Sequence, residues 1–236
     1  MEAAIENRSD RTLDRVGAVS GIAAVILLLA LIMATPALRP PNHSIAEITQ
    51  SARENADGIL RGAYMGMLFS GALLLFGAAL AARLRRAEGS AGGWWLVALA
   101  GIAGTAVGIV SNALVITFVR AVGHGAAGDA LWIGYPSGPD GVLIAVPLAV
   151  FLLGAGLGAR ASGMLPRWLA WLAVALAAMF VLGAGGVMGD EVDGGILGAG
   201  LVFGYAGLLV WIIGSSVSML RRPTNLQQPA PATALG

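Results

Sequence analysis

Apolar positions fill six long segments of the chain with few polar interruptions. The segments run approximately over residues 16–38, 62–82, 94–119, 142–159, 168–188 and 195–220. A helix needs about 20 predominantly apolar residues to cross a hydrocarbon core of about 30 Å. The apolar runs are continuous and do not alternate with a period of two, which favours helices over barrel strands. The sequence therefore predicts an all-α bundle of about six transmembrane helices within residues 16–220.

One connection between spans has the pattern of an amphipathic helix. Ser44 and Glu47 have the spacing of a capping box, in which each side chain accepts a hydrogen bond from the other residue's backbone N–H. Apolar residues then recur at helical spacing, at Ile45, Ile48, Ala52, Ala56 and Ile59. Polar residues oppose them, at Glu47, Gln50, Arg53, Glu54 and Asp57. We predict a short outer helix at about 44–57, either a connector over the span ends or a lid over a binding cavity.

The overall composition supports placement in a membrane. Hydrophobic residues make up 57% of the chain and charged residues 11%, and the mean hydropathy is +0.81. A soluble fold could not cover so much apolar surface, so membrane lipid is the expected partner. The net charge of +1 gives no reason to expect nucleic acid as a partner. The absence of cysteine excludes disulfides, thiolate metal sites and cysteine nucleophiles.

The distribution of arginine predicts the orientation. With the N-terminus inside, ten arginines lie in the cytoplasm and four outside, as the positive-inside rule requires. Residues 1–15 then form a cytoplasmic N-terminus and 221–236 a disordered cytoplasmic tail. Trp94, Trp95, Trp168 and Trp171 would form an inner aromatic belt. The predicted location is a bacterial inner membrane, and a cleaved signal is disfavoured because the first apolar segment is too long.

Polar side chains at membrane depth are scarce. No Asp, Glu, His, Lys or Arg lies in the middle of a predicted span, which argues against a proton-coupled transporter or an intramembrane protease. Ser111 and Asn112 in the third span form the strongest polar pair. Asn112 is interpreted either as the donor of an interhelical hydrogen bond or as an amide presented to a ligand.

The outer loops contain the remaining candidate groups. Asp190, Glu191 and Asp193 form a weak acidic cluster, interpreted as a solvated turn in preference to a cation site. His43 and His124 are read as solvent-facing loop residues, although His124 with Asp129 and Ser137 is the constellation that an outer-face enzyme would use. No catalytic residue, metal ligand or cofactor is predicted.

Glycine is abundant, with 35 residues in the chain. Several pairs are spaced four apart, among them Gly17/Gly21, Gly62/Gly66, Gly104/Gly108, Gly154/Gly158 and Gly200/Gly204. Small residues at this spacing let two transmembrane helices approach closely. They predict close packing within the bundle, or contact with a second copy or another membrane protein.

The layout resembles that of six-span membrane proteins of actinobacteria that have no established activity. The likeness rests on the Arg-containing N-terminus, Ser44-x-x-Glu47, the segment 60–64 (LRGAY) and the turn 83–89 (RLRRAEG). It implies a fold and no catalytic residue. We expect a non-enzymatic accessory or binding component, with a facilitator of amphipathic or lipid-like molecules as the alternative and an outer-face enzyme third.

Overall fold

A computed structural model describes residues 2–34, 45–89, 92–125, 142–185 and 196–221. Within these ranges the regular structure is α-helical and contains no strand, which confirms the predicted fold class. The helices are α1 (Glu2–Ala34), α2 (Ile45–Glu54), α3 (Ala56–Glu88), α4 (Trp94–Gly104), α5 (Val107–Gly123), α6 (Val142–Ser162), α7 (Arg167–Gly185) and α8 (Ile196–Arg221).

In the part of the chain that the structure describes, six helical stretches are long and apolar enough to cross a membrane. They are Arg11–Met33, Ala56–Glu88, Trp94–Gly123, Ile144–Ser162, Arg167–Ala184 and Phe203–Arg221. Each overlaps one of the six predicted segments. The chain is therefore an integral membrane protein, and the predicted number of spans is confirmed.

The spans form a closed ring. Each span packs against the next along the chain, and α8 returns to pack against α1. Helices α3 and α6 also contact each other across the ring. At the centre, the fully buried Trp211 of α8 meets Phe76 of α3 and Phe151 of α6 edge to face, at centroid distances of 5.9 and 5.7 Å. Aromatic side chains thus fill the middle of the ring.

Glycine allows a close contact between the backbones of α4 and α6. A Cβ atom on Gly101 would overlap the backbone of Phe151, and one on Gly154 would lie 2.5 Å from the backbone nitrogen of Ala98. On α1, a Cβ on Gly17 or Gly21 would collide with side chains of α3 and α8. The predicted packing role of these glycines is therefore observed inside one chain. Contact with a second copy through glycine remains a prediction.

The third span is interrupted where the sequence suggested one continuous helix. The N–H of Ala106 bonds to the carbonyl of Ala103, and that of Thr105 is shared between Gly101 and Ile102. These short-range bonds form a tight turn between α4 and α5. The adjoining Gly104 faces Pro147 of α6, with the place of its absent Cβ 2.9 Å from the proline ring. The tight turn in the third span therefore contacts the proline within the fourth span.

The predicted amphipathic helix is present as α2. Ile48 and Ala52 are buried in a cluster with residues of α3 and α5, which include Ile59, Val115 and Val119. The predicted polar face, with Gln50, is exposed. Ser44 lies outside the described residues, so the capping box stays a prediction.

Candidate functional site at the arginine-rich end

One end of the bundle, where α1 begins and α8 ends, has most of the described arginines. We call it the arginine-rich end, and the arginines of the described helices that lie there are Arg8, Arg11, Arg15, Arg83, Arg85, Arg86, Arg160, Arg167 and Arg221. The opposite end has Arg53, Arg61 and Arg120 among the described residues. The two ends of the molecule thus differ strongly in cationic character.

A buried ion cluster lies just inside the arginine-rich end. Asp14 of α1 faces two arginines of α3, with Oδ1 2.8 Å from Arg86 Nη2 and Oδ2 3.5 Å from Arg83 Nη1. Asp14 is 5% exposed and Arg83 2%. Arg83 and Arg86 are three residues apart on one helix and therefore share a face. Burial of a charged group without a partner costs much free energy because the group loses its hydration. The carboxylate and the two guanidinium groups therefore stabilise one another in the bundle.

Arg83 also binds the last turn of α8. Its Nη1 donates a hydrogen bond of 3.1 Å to the backbone carbonyl of Met219. That carbonyl is among the last four of α8, which lack intrahelical donors, and a cation is favourable beside a helix C-terminus. One guanidinium thereby joins the first, second and sixth spans where the ring closes.

The turn between α3 and α4 is held by a second acidic residue. Glu88 Oε2 accepts a hydrogen bond of 3.1 Å from the backbone N–H of Trp94, the first residue of α4. A carboxylate satisfies the free N–H groups at a helix N-terminus and is favoured there by the helix dipole. A Cβ on Gly92 would collide with this side chain, and one on Gly158 would lie 2.5 Å from its other oxygen.

Two arginines at this end rest on tryptophan rings. The guanidinium carbon of Arg85 lies 5.0 Å from the ring centroid of Trp95, and that of Arg160 lies 4.4 Å from the centroid of Trp171. These are cation–π distances, and tryptophan prefers the membrane–water interface. The arrangement supports the predicted aromatic belt at this end.

Two surface depressions differ in charge. One of about 340 Å³ at the arginine-rich end is lined by Arg160, Arg167 and Trp171. Another of about 560 Å³ lies at the junction of α2 and α3, at the opposite end. Its lining contains Arg53 and Arg61 but also Glu54 and Asp57. The first is purely cationic, whereas the second has compensating charges.

The predicted polar pair lies on α5, away from both depressions. Asn112 Nδ2 donates to the carbonyl of Gly108 in its own helix at 2.7 Å. Its side chain packs against Gly66 of α3, where a Cβ would meet Asn112 Oδ1 at 2.5 Å. Ser111 beside it is half-buried. The hydrogen bond of the Asn112 side chain thus lies within α5. Its amide group occupies the space that the absent side chain of Gly66 leaves on α3, which we call the glycine notch.

The loop candidates lie mostly outside the described residues. These are His43, Asp129, Ser137, Asp190, Glu191 and Asp193. His124 is described and exposed, with Nδ1 2.7 Å from the carbonyl of Arg120. The structure therefore brings no catalytic partner to His124 within the described ranges. Those same ranges contain no group of three His, Cys, Asp or Glu side chains that could hold a metal ion.

Sequence reasoning missed the buried ion cluster. It assigned Asp14 to a terminal segment and Arg83 to a turn, whereas both are buried in helices. The available signal was the Arg83/Arg86 spacing at the end of an apolar helix, together with one acidic residue just before the first span.

Comparisons with protein-family models, with curated proteins and with solved structures find no match.

Proposed function

We propose that this protein is a non-enzymatic binding or accessory component of a bacterial inner membrane, with its arginine-rich end as the binding surface in the cytoplasm. The observation that carries the proposal is the filled centre of the ring. Trp211, Phe76 and Phe151 are fully buried, and both phenylalanines pack edge to face against Trp211 between the second, fourth and sixth spans. The interior therefore supports a fixed scaffold better than a path for a substrate.

Three polar side chains of the third span agree with this. The side chains of Thr105, Asn112 and Thr117 donate to backbone carbonyls of Ile102, Gly108 and Ala113, three or four residues back in the same span. Such internal bonds satisfy the side chain without a ligand. Exposed arginine and tryptophan are concentrated instead at one end.

Orientation is part of the proposal. Nine arginines of the described ranges lie at the arginine-rich end and three at the other, and arginine in short connections favours the cytoplasmic side. We also propose membership of the actinobacterial six-span group whose layout the sequence resembles. The helix α2 and the long second span are consistent with that layout, and the resemblance brings no activity with it.

A flux assay tests the proposal against the facilitator alternative. Purified protein in liposomes should leave ethidium uptake and dithionite reduction of inner-leaflet NBD-lipid at the rates of protein-free liposomes. Asn112→Leu should change neither rate. An acceleration by the wild-type protein that Asn112→Leu removes would overturn the proposal and favour a facilitator.

A further inference from the structure

We propose that Arg160, Arg167 and Trp171 form a binding site for the phosphate headgroup of an anionic phospholipid. The inference deepens the proposed function, on which it rests for the placement of the arginine-rich end at a bilayer surface. It names the chemical class of ligand that this end would bind.

The three residues converge at the hairpin between α6 and α7. Arg160 lies in the last turn of α6, Arg167 is the first residue of α7, and Trp171 follows one turn later. Gly163, with φ +69°, follows the end of α6 at Ser162. This left-handed residue turns the chain sharply. The two arginines then line the same depression of about 340 Å³.

The charge at this depression is uncompensated within the described structure. Arg160 and Arg167 are exposed, and neither has an ion pair or hydrogen bond with a described residue. Arg83 and Arg86, by contrast, share the carboxylate of Asp14. Guanidinium groups bind phosphate oxygens through paired N–H donors. Two of them at one depression therefore favour a phosphate in a ligand of net negative charge over a neutral ligand or one whose phosphate is accompanied by a cation.

Trp171 preorganises the guanidinium group of Arg160 for ligand binding. Its ring holds the Arg160 guanidinium at 4.4 Å from the ring centroid, which restricts the arginine while leaving its N–H edges available. A group that is already ordered loses less conformational entropy on binding. Trp168 and Trp171 are 57% and 53% exposed, as expected for rings at the headgroup level.

An apolar track continues from the site along α6. Val146, Val150 and Leu153 are exposed and lie on the face of Arg160, since residues three or four apart stack on one side of a helix. The track from Arg160 to Val146 spans about 21 Å at 1.5 Å per residue. An acyl chain can lie along this track while its phosphate contacts the arginines. This continuity favours a phospholipid over a soluble phosphate compound.

Native mass spectrometry of the purified full chain tests the site. Wild-type protein is titrated with phosphatidylglycerol or phosphatidylcholine, and inorganic phosphate and glycerol phosphate serve as soluble competitors. The double variant Arg160→Gln/Arg167→Gln removes the charge at exposed positions. The matched control is Arg85→Gln, which removes an arginine that also rests on a tryptophan.

We expect one phosphatidylglycerol to bind about tenfold more tightly than phosphatidylcholine, because both lipids present a phosphate to the arginines but the choline cation of phosphatidylcholine is repelled by two uncompensated guanidinium groups. The double variant should lose that preference, and Arg85→Gln should keep it. Equal phosphatidylglycerol binding by wild type and double variant would overturn the proposal. Displacement of the lipid by millimolar phosphate would overturn the assignment to a lipid. Both of these outcomes concern lipid binding alone and leave the result of the flux assay unchanged. Failure of the lipid site can therefore be distinguished from failure of the proposed function.

If the double variant does not remain folded, Trp171→Leu supplies the test, with Trp95→Leu as its control. Loss of the lipid preference in the first variant alone supports the site, and equal loss or equal retention in both contradicts it.

Discussion

Arg86 and Asp14, 72 residues apart in the chain, form a 2.8 Å ion pair between the first two transmembrane helices. Arg83 approaches the same carboxylate and also binds the end of α8. One buried carboxylate therefore faces two arginines at the place where the helix ring closes.

Replacement of Asp14 should consequently destabilise the fold. Asp14→Ala removes the carboxylate that faces both Arg83 and Arg86, and removal of one partner from a buried ion cluster costs about 3 kcal/mol. We expect a clear decrease in the unfolding temperature in mild detergent. Asp57→Ala, at an exposed position on α3, is the control and should be nearly neutral. Equal unfolding temperatures for the two variants would show that the cluster contributes little.

Close approach of α4 and α6 gives a second prediction. Gly101→Ala places a methyl group against the backbone of Phe151, and backbone cannot move aside as a flexible side chain can. Such overpacking costs about 1–3 kcal/mol. Gly71→Ala is the matched control, because a Cβ there meets nothing within 4 Å. It should be neutral or slightly stabilising, since alanine favours helix more than glycine does. A similar loss of stability in both variants would contradict the contact.

The central tryptophan gives a third prediction. Trp211 is fully buried, and its Nε1 donates to the carbonyl of Leu169 at 3.1 Å. Trp211→Ala removes both the hydrogen bond and the aromatic packing, at a cost of about 3–5 kcal/mol. Trp211→Phe should keep most of the packing and lose about 1 kcal/mol with the hydrogen bond. Thermal unfolding in detergent distinguishes them, and identical behaviour of both variants would contradict the assigned geometry.

The cap on α4 gives a fourth prediction. Glu88→Ala removes the acceptor for the Trp94 N–H and should lower the unfolding free energy by about 1 kcal/mol. Glu54→Ala, at an exposed position of α2, provides the comparison. The prediction fails if Glu88→Ala unfolds no earlier than Glu54→Ala.

Length and hydropathy sufficed to predict the six spans, because a bilayer requires long apolar helices whatever the tertiary arrangement. They did not predict where helices continue beyond the apolar core. Helix α3 extends through Arg83 and Arg86 to Glu88, although the hydropathy falls there. Arginine favours helix, and Asp14 from another span forms ion pairs with both Arg83 and Arg86.

The interruption at Thr105 could not be predicted from local sequence for a related reason. Thr105 and Gly104 are tolerated in continuous transmembrane helices, and the contact with Pro147 involves a residue 43 positions from Gly104. The environment of Asn112 likewise depends on a residue that is distant in the sequence. Its residue type predicted a polar feature at depth, but the glycine notch at Gly66 that receives its side chain depends on how α3 and α5 pack.

Topology is the most direct test of the central claim, that the arginine-rich end of a six-span bundle faces the cytoplasm. The chain has no cysteine, so single cysteines can be introduced at exposed positions. Ala161→Cys lies at the arginine-rich end and Gln50→Cys on α2 at the opposite end, and both positions are exposed. In intact spheroplasts, an impermeant maleimide should label Gln50→Cys at once and Ala161→Cys only after permeabilisation. Labelling of Ala161→Cys in intact spheroplasts would contradict the claim.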